Sequence, residues 1–155
     1  MYSNELVIQI LNYLDDNLYK KISIEELSFH FHYNKDYIMR LFKKEIGLTI
    51  VDYINRRRIY NSLAAFPKHK SSILSISLQY GFASQEYYCE IFHKIMGVSP
   101  TIFQNFKTFS KNLSVENVYN IQDNLTLLDY QFREIDKYRL NIIPKSTVKV
   151  LTVFK

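Results

Sequence analysis

The stretch Ile24–Gly47, IEELSFHFHYNKDYIMRLFKKEIG, reads as two helices joined by a tight turn. Ser23 and Glu26 fit a capping box, in which a Ser hydroxyl and the Glu three residues later satisfy two orphan backbone donors reciprocally. Leu27 and Phe31 follow at helical spacing for burial. His32 and Tyr33 carry the turn, and Asn34 is a good N-cap for the next helix. There Ile38, Leu41 and Phe42 recur at i, i+3 and i+4, which makes one buried face. Lys35, Asp36, Met39, Arg40 and Lys43 fall on the opposite side, and Gly47 stops the helix. A pair of this kind sends the exposed face of its second helix into the major groove of DNA. An ordinary helical hairpin with a solvated charged face fits the same residues.

Composition narrows the classes. The chain has 155 residues, enough for one or two small domains with a real core. Apolar residues make up 47% and charged residues 23%, as in ordinary globular proteins, and with only three Gly and three Pro long linkers are not expected. The net charge of +5 permits a nucleic-acid partner without requiring one. A single Cys excludes an intramolecular disulfide framework and fits a reducing compartment. The N-terminus lacks the pattern of a signal peptide, and no apolar run approaches membrane-spanning length. A cytoplasmic protein without membrane association is the resulting expectation.

Outward from the opening stretch, Asn4 to about Leu18 forms an amphipathic helix whose apolar stripe needs a partner. Beyond Gly47, Thr49 caps a helix to about Phe66, with Asp52 in its first turn. That helix carries Arg56-Arg57-Arg58. Three consecutive residues span too wide an arc for all to face one partner. One or two reach phosphates in a DNA-binding reading; a solvated or ion-paired patch is the plainer one. After a basic turn at Lys68–Lys70, Ser71 or Ser72 opens a short helix to Tyr80. Gly81 supplies a left-handed turn residue. A helix follows from Gln85 to Met96, stopped by Gly97, and Ser99-Pro100 starts a last one to about Lys107.

The two halves match each other. Ile24, Leu27 and Ser28 correspond to Ile73, Ile76 and Ser77 at a spacing of 49. Phe42, Gly47, Thr49 and Tyr53 correspond to Phe92, Gly97, Ser99 and Phe103 at a spacing of 50. The extra residue falls in the turn, where insertions are tolerated. The helix–turn–helix therefore occurs twice, joined by the helix from Thr49. Two such units at fixed separation suit two successive major-groove segments about 34 Å apart on one DNA face. The repeat makes Tyr33, Phe42, Tyr53, Phe82, Tyr88, Phe92 and Phe103 internal.

With RLFKKEIG (Arg40–Gly47) and QYGFASQEYYCEIFHKIMGVSP (Gln79–Pro100) in place, residues 4–107 resemble the DNA-binding domain of the AraC/XylS family of bacterial transcription regulators. The resemblance implies a mainly α fold of about seven helices in two helix–turn–helix subdomains. It implies promoter DNA as ligand and activation through contact with RNA polymerase, in some members after a separate domain binds a small effector. Transferred by motif, the base-contacting positions are Asp36, Met39 and Arg40 in the first reading helix. In the second they are Gln85, Glu86, Cys89 and Glu90. Phosphate contacts are expected from Asn34, Lys35, Tyr37, Lys43, Arg56, Arg57, Ser84, Tyr87 and His93. Arg40 suits bidentate binding of guanine O6 and N7; a salt bridge to Asp36 or Glu45 is its alternative. Glu86 and Glu90 depart from the family, which usually carries a small or polar residue at the first position and often a basic one at the second. A carboxylate acceptor reads only a cytosine amino group and is repelled by phosphates. The second helix is therefore expected to bind more weakly than the first.

No cofactor or catalysis is expected. Neighbouring Glu side chains raise the pKa of Cys89 rather than activate it. His30, His32, His69 and His93 lack metal-ligand spacing, and no Gly-rich phosphate loop occurs. Residues 108–155 are read as an extension: a shortened effector-binding domain, or a segment that packs on the helices or pairs two copies through strand edges. Within it Leu128, Tyr130 and Phe132 alternate like a strand, as do 147–154, with another strand around Leu140, Ile142 and Ile143.

Overall fold

A computed structural model describes residues 3–66, 71–107 and 115–142. Eight α-helices occupy them: α1 (Ser3–Asp16), α2 (Ile24–Phe31), α3 (Lys35–Ile46), α4 (Ile50–Ser62), α5 (Ile73–Gln79), α6 (Gln85–Met96), α7 (Pro100–Lys107) and α8 (Val115–Ile142). A 3₁₀ turn, Leu63–Ala65, extends α4.

Local chemistry sets the helix boundaries in both repeats. Oγ of Ser23 accepts from Glu26 N–H at 3.1 Å, and Ser72 Oγ accepts from Ser75 N–H at the same distance. Asn34 and Ser84 cap α3 and α6. Gly47 (φ 79°) and Gly97 (φ 71°) end those helices in the left-handed region, each N–H returning to a carbonyl of the last turn. Thr49 and Ser99 then cap α4 and α7. The Glu26 half of the expected capping box is diverted: its Oε1 accepts from the Tyr13 hydroxyl at 2.6 Å, tying α2 to α1.

One continuous core runs through both repeats. Leu6, Val7, Ile10, Leu11 and Leu14 of α1 pack with Leu27, Ile38, Phe42 and Tyr53, and the cluster continues through Phe66 to Tyr88, Phe92 and Phe103. Of the seven aromatics expected inside, six are buried and Tyr33 is half-buried. The Tyr88 phenol is pushed well above its ordinary range by burial, and its hydroxyl lies 3.0 Å from that of Ser62.

The strand expectation for 128–142 is overturned, because these residues are helical in α8. Leu128, Tyr130 and Phe132 alternate, but Ile121, Leu125, Leu128, Phe132 and Ile135 recur at four and three residues, the period of a helix seam. Ile121, Leu128, Phe132 and Ile135 are buried, whereas Tyr130 is exposed. A five-residue window fits either period; the longer one decides. The strand expected at 147–154, the basic turn at 68–70 with His69, and Ile143 lie outside the described residues.

Helix α8 packs on α6, α1 and α7. Side chains extend its reach to α4, where Gln131 Oε1 accepts from Arg56 at 3.0 Å and Phe132 meets Tyr60 edge-on at 5.2 Å. Near its end, the Tyr138 hydroxyl donates to Glu45 Oε2 of α3 at 3.4 Å. Among the described residues no helix is long and apolar enough to cross a membrane.

Candidate nucleic-acid interface

Two caps and a buried stripe fix α3. Asn34 Oδ1 accepts from Asp36 N–H at 2.8 Å, Gly47 closes the other end, and Ile38, Leu41 and Phe42 anchor the inner face. This leaves Lys35, Asp36, Tyr37, Met39, Arg40 and Lys43 exposed on the outer face. Tyr37 stacks on Tyr33 at 5.5 Å, which stiffens the start of the helix. The Lys35 ammonium stands 4.0 Å from Glu25, both exposed, a pairing that costs little to give up. Neither alternative partner holds Arg40. Among the described residues the side chains of Arg40 and Lys43 have no ion-pair or hydrogen-bond partner, and Glu45 instead faces Lys44 and Tyr138. Four cations (Lys35, Arg40, Lys43, Lys44) stand on exposed α3 positions against Asp36.

Helix α6 repeats the frame with different chemistry. Tyr88, Ile91, Phe92 and Met96 anchor it, and Glu86, Tyr87, Glu90, His93 and Lys94 are exposed, with Gln85 and Cys89 half-buried. Ser84 Oγ accepts from Tyr87 N–H at 3.2 Å. The Glu86 carboxyl is held below its usual range by its own backbone N–H and by the Ser84 hydroxyl, so a fixed negative charge sits at the start of α6. The Tyr87 hydroxyl accepts from the buried Asn55 side chain at 2.9 Å, which aims this tyrosine from α4. The Cys89 thiol is pushed up by burial and then by Glu86, which makes it a poor nucleophile. Lys94 is exposed one spacing of 50 from exposed Lys44, and neither was among the expected contacts.

The arginine run of α4 turns inward. Arg57 binds Asp15 through Nε (3.3 Å) and Nη2 (3.1 Å) and lies over the Phe132 ring at 4.9 Å. Arg56 donates to Gln131. A phosphate contact by either, as expected from sequence, has to compete with these partners. Arg58 is buried and donates to three carbonyls: Leu18 at 2.7 Å, Lys20 at 2.8 Å and Gly81 at 2.8 Å. The first two belong to the α1–α2 connection and the third to the turn of the second repeat, so one guanidinium ties the halves together. The sequence reading had no place for Arg58. Its signal was spacing, because Ile54, Arg58 and Ser62 share the buried stripe of α4.

Among the described residues no group of His, Cys, Asp and Glu is placed to hold a metal ion.

Comparisons with known proteins agree with this geometry. The family model described as a helix-turn-helix domain matches residues 27–105. The HTH-type transcriptional activator AarP of Providencia stuartii is 27% identical over 103 residues, covering 66% of this chain and 76% of that protein. The uncharacterized HTH-type transcriptional regulator YbfP of Bacillus subtilis is 31% identical over 106 residues, 68% of this chain but only 36% of its own length. The DNA-binding domain of AdpA, solved with a target DNA, superposes with a TM-score of 0.61 at 14% identity, over 70% of this chain and 97% of that one. The duplicated helix–turn–helix, its caps and these matches together mean that the chain belongs to the AraC/XylS family of DNA-binding transcription regulators.

Proposed function

We propose that the protein reads two successive major-groove segments of promoter DNA, with α3 as the stronger reader and α6 as the weaker. The observation that carries this reading is the exposed α3 face, where an unpartnered Arg40 stands among lysines on a helix capped at both ends. In this reading Asp36, Met39 and Arg40 meet base edges. Asn34, Lys35, Tyr37 and Lys43 hold the flanking backbone. Gln85 and Cys89 approach bases from α6, with Ser84, Tyr87 and His93 on phosphates. Glu86 and Glu90 restrict that helix to a cytosine amino group or to a shallow dock. Arg56 and Arg57 act through their internal pairs rather than on DNA.

Residues 1–107 form the DNA-reading unit in this proposal, and 108–155 an extension whose described helix braces it. Activation by contact with RNA polymerase is the expected output, consistent with the activator name of AarP. Exposed Glu86 and Glu90 favour a second reading, a protein-interaction module with weak DNA binding. Residues 1–107 carry 13 Lys and Arg against 10 Asp and Glu, which leaves that reading open.

Arg40→Ala tests the first reading on a site selected from random DNA. Affinity for that site should fall by about 1–3 kcal/mol, with preference lost at one guanine. An equal loss on all sequences would make Arg40 a phosphate contact. Absent or salt-insensitive binding by the unmodified protein would favour the interaction module.

A further inference from the structure

We propose that the first repeat holds a binding site for a small amphipathic carboxylate, a single anionic group on an apolar body, in the groove between α2, α3 and α4. The groove has a volume of about 390 Å³, within the range of small-molecule sites. Ile22, Ile24, Leu27, Ile50, Val51 and Ile54 form its apolar walls. Val51 is 61% exposed and Met39, at the rim, 43%, so the walls are open to solvent.

The charge at the rim selects the ligand. Arg40 and Lys43 line the groove, and none of its lining residues is acidic. Both side chains lack a partner among the described residues. Of the carboxylates near it in sequence, Glu25 pairs with Lys35, Glu26 accepts from Tyr13, Asp52 accepts from Thr49 and Glu45 faces Lys44 and Tyr138, while Asp36, exposed one turn before Arg40, does not line the groove. The first turn of α4, the positive end of its dipole, adds to the same potential. An apolar body therefore replaces water along the walls while its carboxylate meets two cations.

The duplication supplies an internal control. At the matching positions the second repeat has Cys89 for Met39, Glu90 for Arg40, His93 for Lys43, Thr101 for Val51 and Gln104 for Ile54. The second unit has thus exchanged both the cationic rim and much of the apolar wall. The first unit alone carries this chemistry.

Arg40 is also the residue assigned to base reading, so ligand and DNA compete for one guanidinium. This consequence rests on the proposed function; the site itself does not. The test uses the full chain with 4-butylbenzoate as probe and its neutral amide, 4-butylbenzamide, as control, followed through isoleucine methyl resonances without DNA. Saturable shifts are expected at Ile22, Ile24, Ile50 and Ile54. The amide should bind about tenfold more weakly, as should the carboxylate to Lys43→Ala. Val51→Glu, at an exposed position that leaves the fold intact, should abolish binding. Dispersed or unsaturable shifts, or equal affinity for the amide, would overturn the site. Saturating 4-butylbenzoate should weaken DNA binding about tenfold, and an undiminished DNA complex would overturn the competition. Failure of the ligand-free protein to bind DNA would count against the proposed function alone, since the methyl shifts decide the groove independently.

Discussion

Arg58→Ala is expected to lower folding stability by about 3–5 kcal/mol, since it removes three charge-assisted hydrogen bonds and leaves one buried and two part-buried carbonyls unpaired. Burial pushes the Arg58 pKa down, yet an arginine stays charged in proteins. That charge is met by the carbonyls of Leu18, Lys20 and Gly81 rather than by a carboxylate. The planar fork reaches all three from one side chain, and the guanidinium also lies 5.8 Å from the Phe82 ring centroid. Lysine has a single point of charge and cannot span the same carbonyls, so Arg58→Lys should recover only part of the loss. Small domains have about 5–15 kcal/mol in total. The alanine variant should therefore sit close to unfolding in a urea titration followed by circular dichroism. A loss below about 1 kcal/mol would mean that water replaces the guanidinium at little cost.

At the same junction, Gly81→Ala should cost about 2–4 kcal/mol. The left-handed conformation at φ 81° is unfavourable for any residue with a Cβ. A Cβ there would also stand 2.7 Å from the Tyr19 carbonyl oxygen and 2.9 Å from Tyr19 Cα. Both are backbone atoms, so relief requires moving the α1–α2 connection, and overpacking of this kind adds to the conformational cost. Gly47→Ala is the matched comparison. It shares a positive φ of 79°, but no atom lies within 4 Å of its added Cβ. Only the conformational part, about 1–2 kcal/mol, should then be lost. The difference between the two variants in the same urea titration measures the close approach of the halves. Equal losses would show that the connection yields freely.

Much of the fold was legible because its signals are local. A Ser, Thr or Asn before an apolar period, and a Gly after it, act within four residues, and Ser23, Asn34, Gly47, Thr49 and Gly97 all stand where such reasoning put them, with Ser72 the cap of the two serines offered. The repeat added long-range information that a single helix pair lacks. What escaped depends on distant partners. Arg58 is defined by carbonyls 23, 38 and 40 residues away. Arg57, expected at a phosphate, has Asp15 and Phe132 beside it, partners far along the chain that spacing does not show. Helix α8 was misread because three alternating residues satisfy both periods, whereas the longer run from Ile121 to Ile135 fits only the helical one, the face that packs against α6 and α1. For the reading face, sequence named the exposed positions of α3, while the freedom of Arg40 from Asp36 and Glu45 required the structure.

The central claim is that both repeats address one side of the duplex. Hydroxyl-radical footprinting of the full chain on a site selected from random DNA tests it most directly. Two protected patches about one helical turn apart on the same face are predicted, the patch assigned to α3 being lost first as salt is raised in Arg40→Ala. A single patch, or two on opposite faces of the helix, would contradict it.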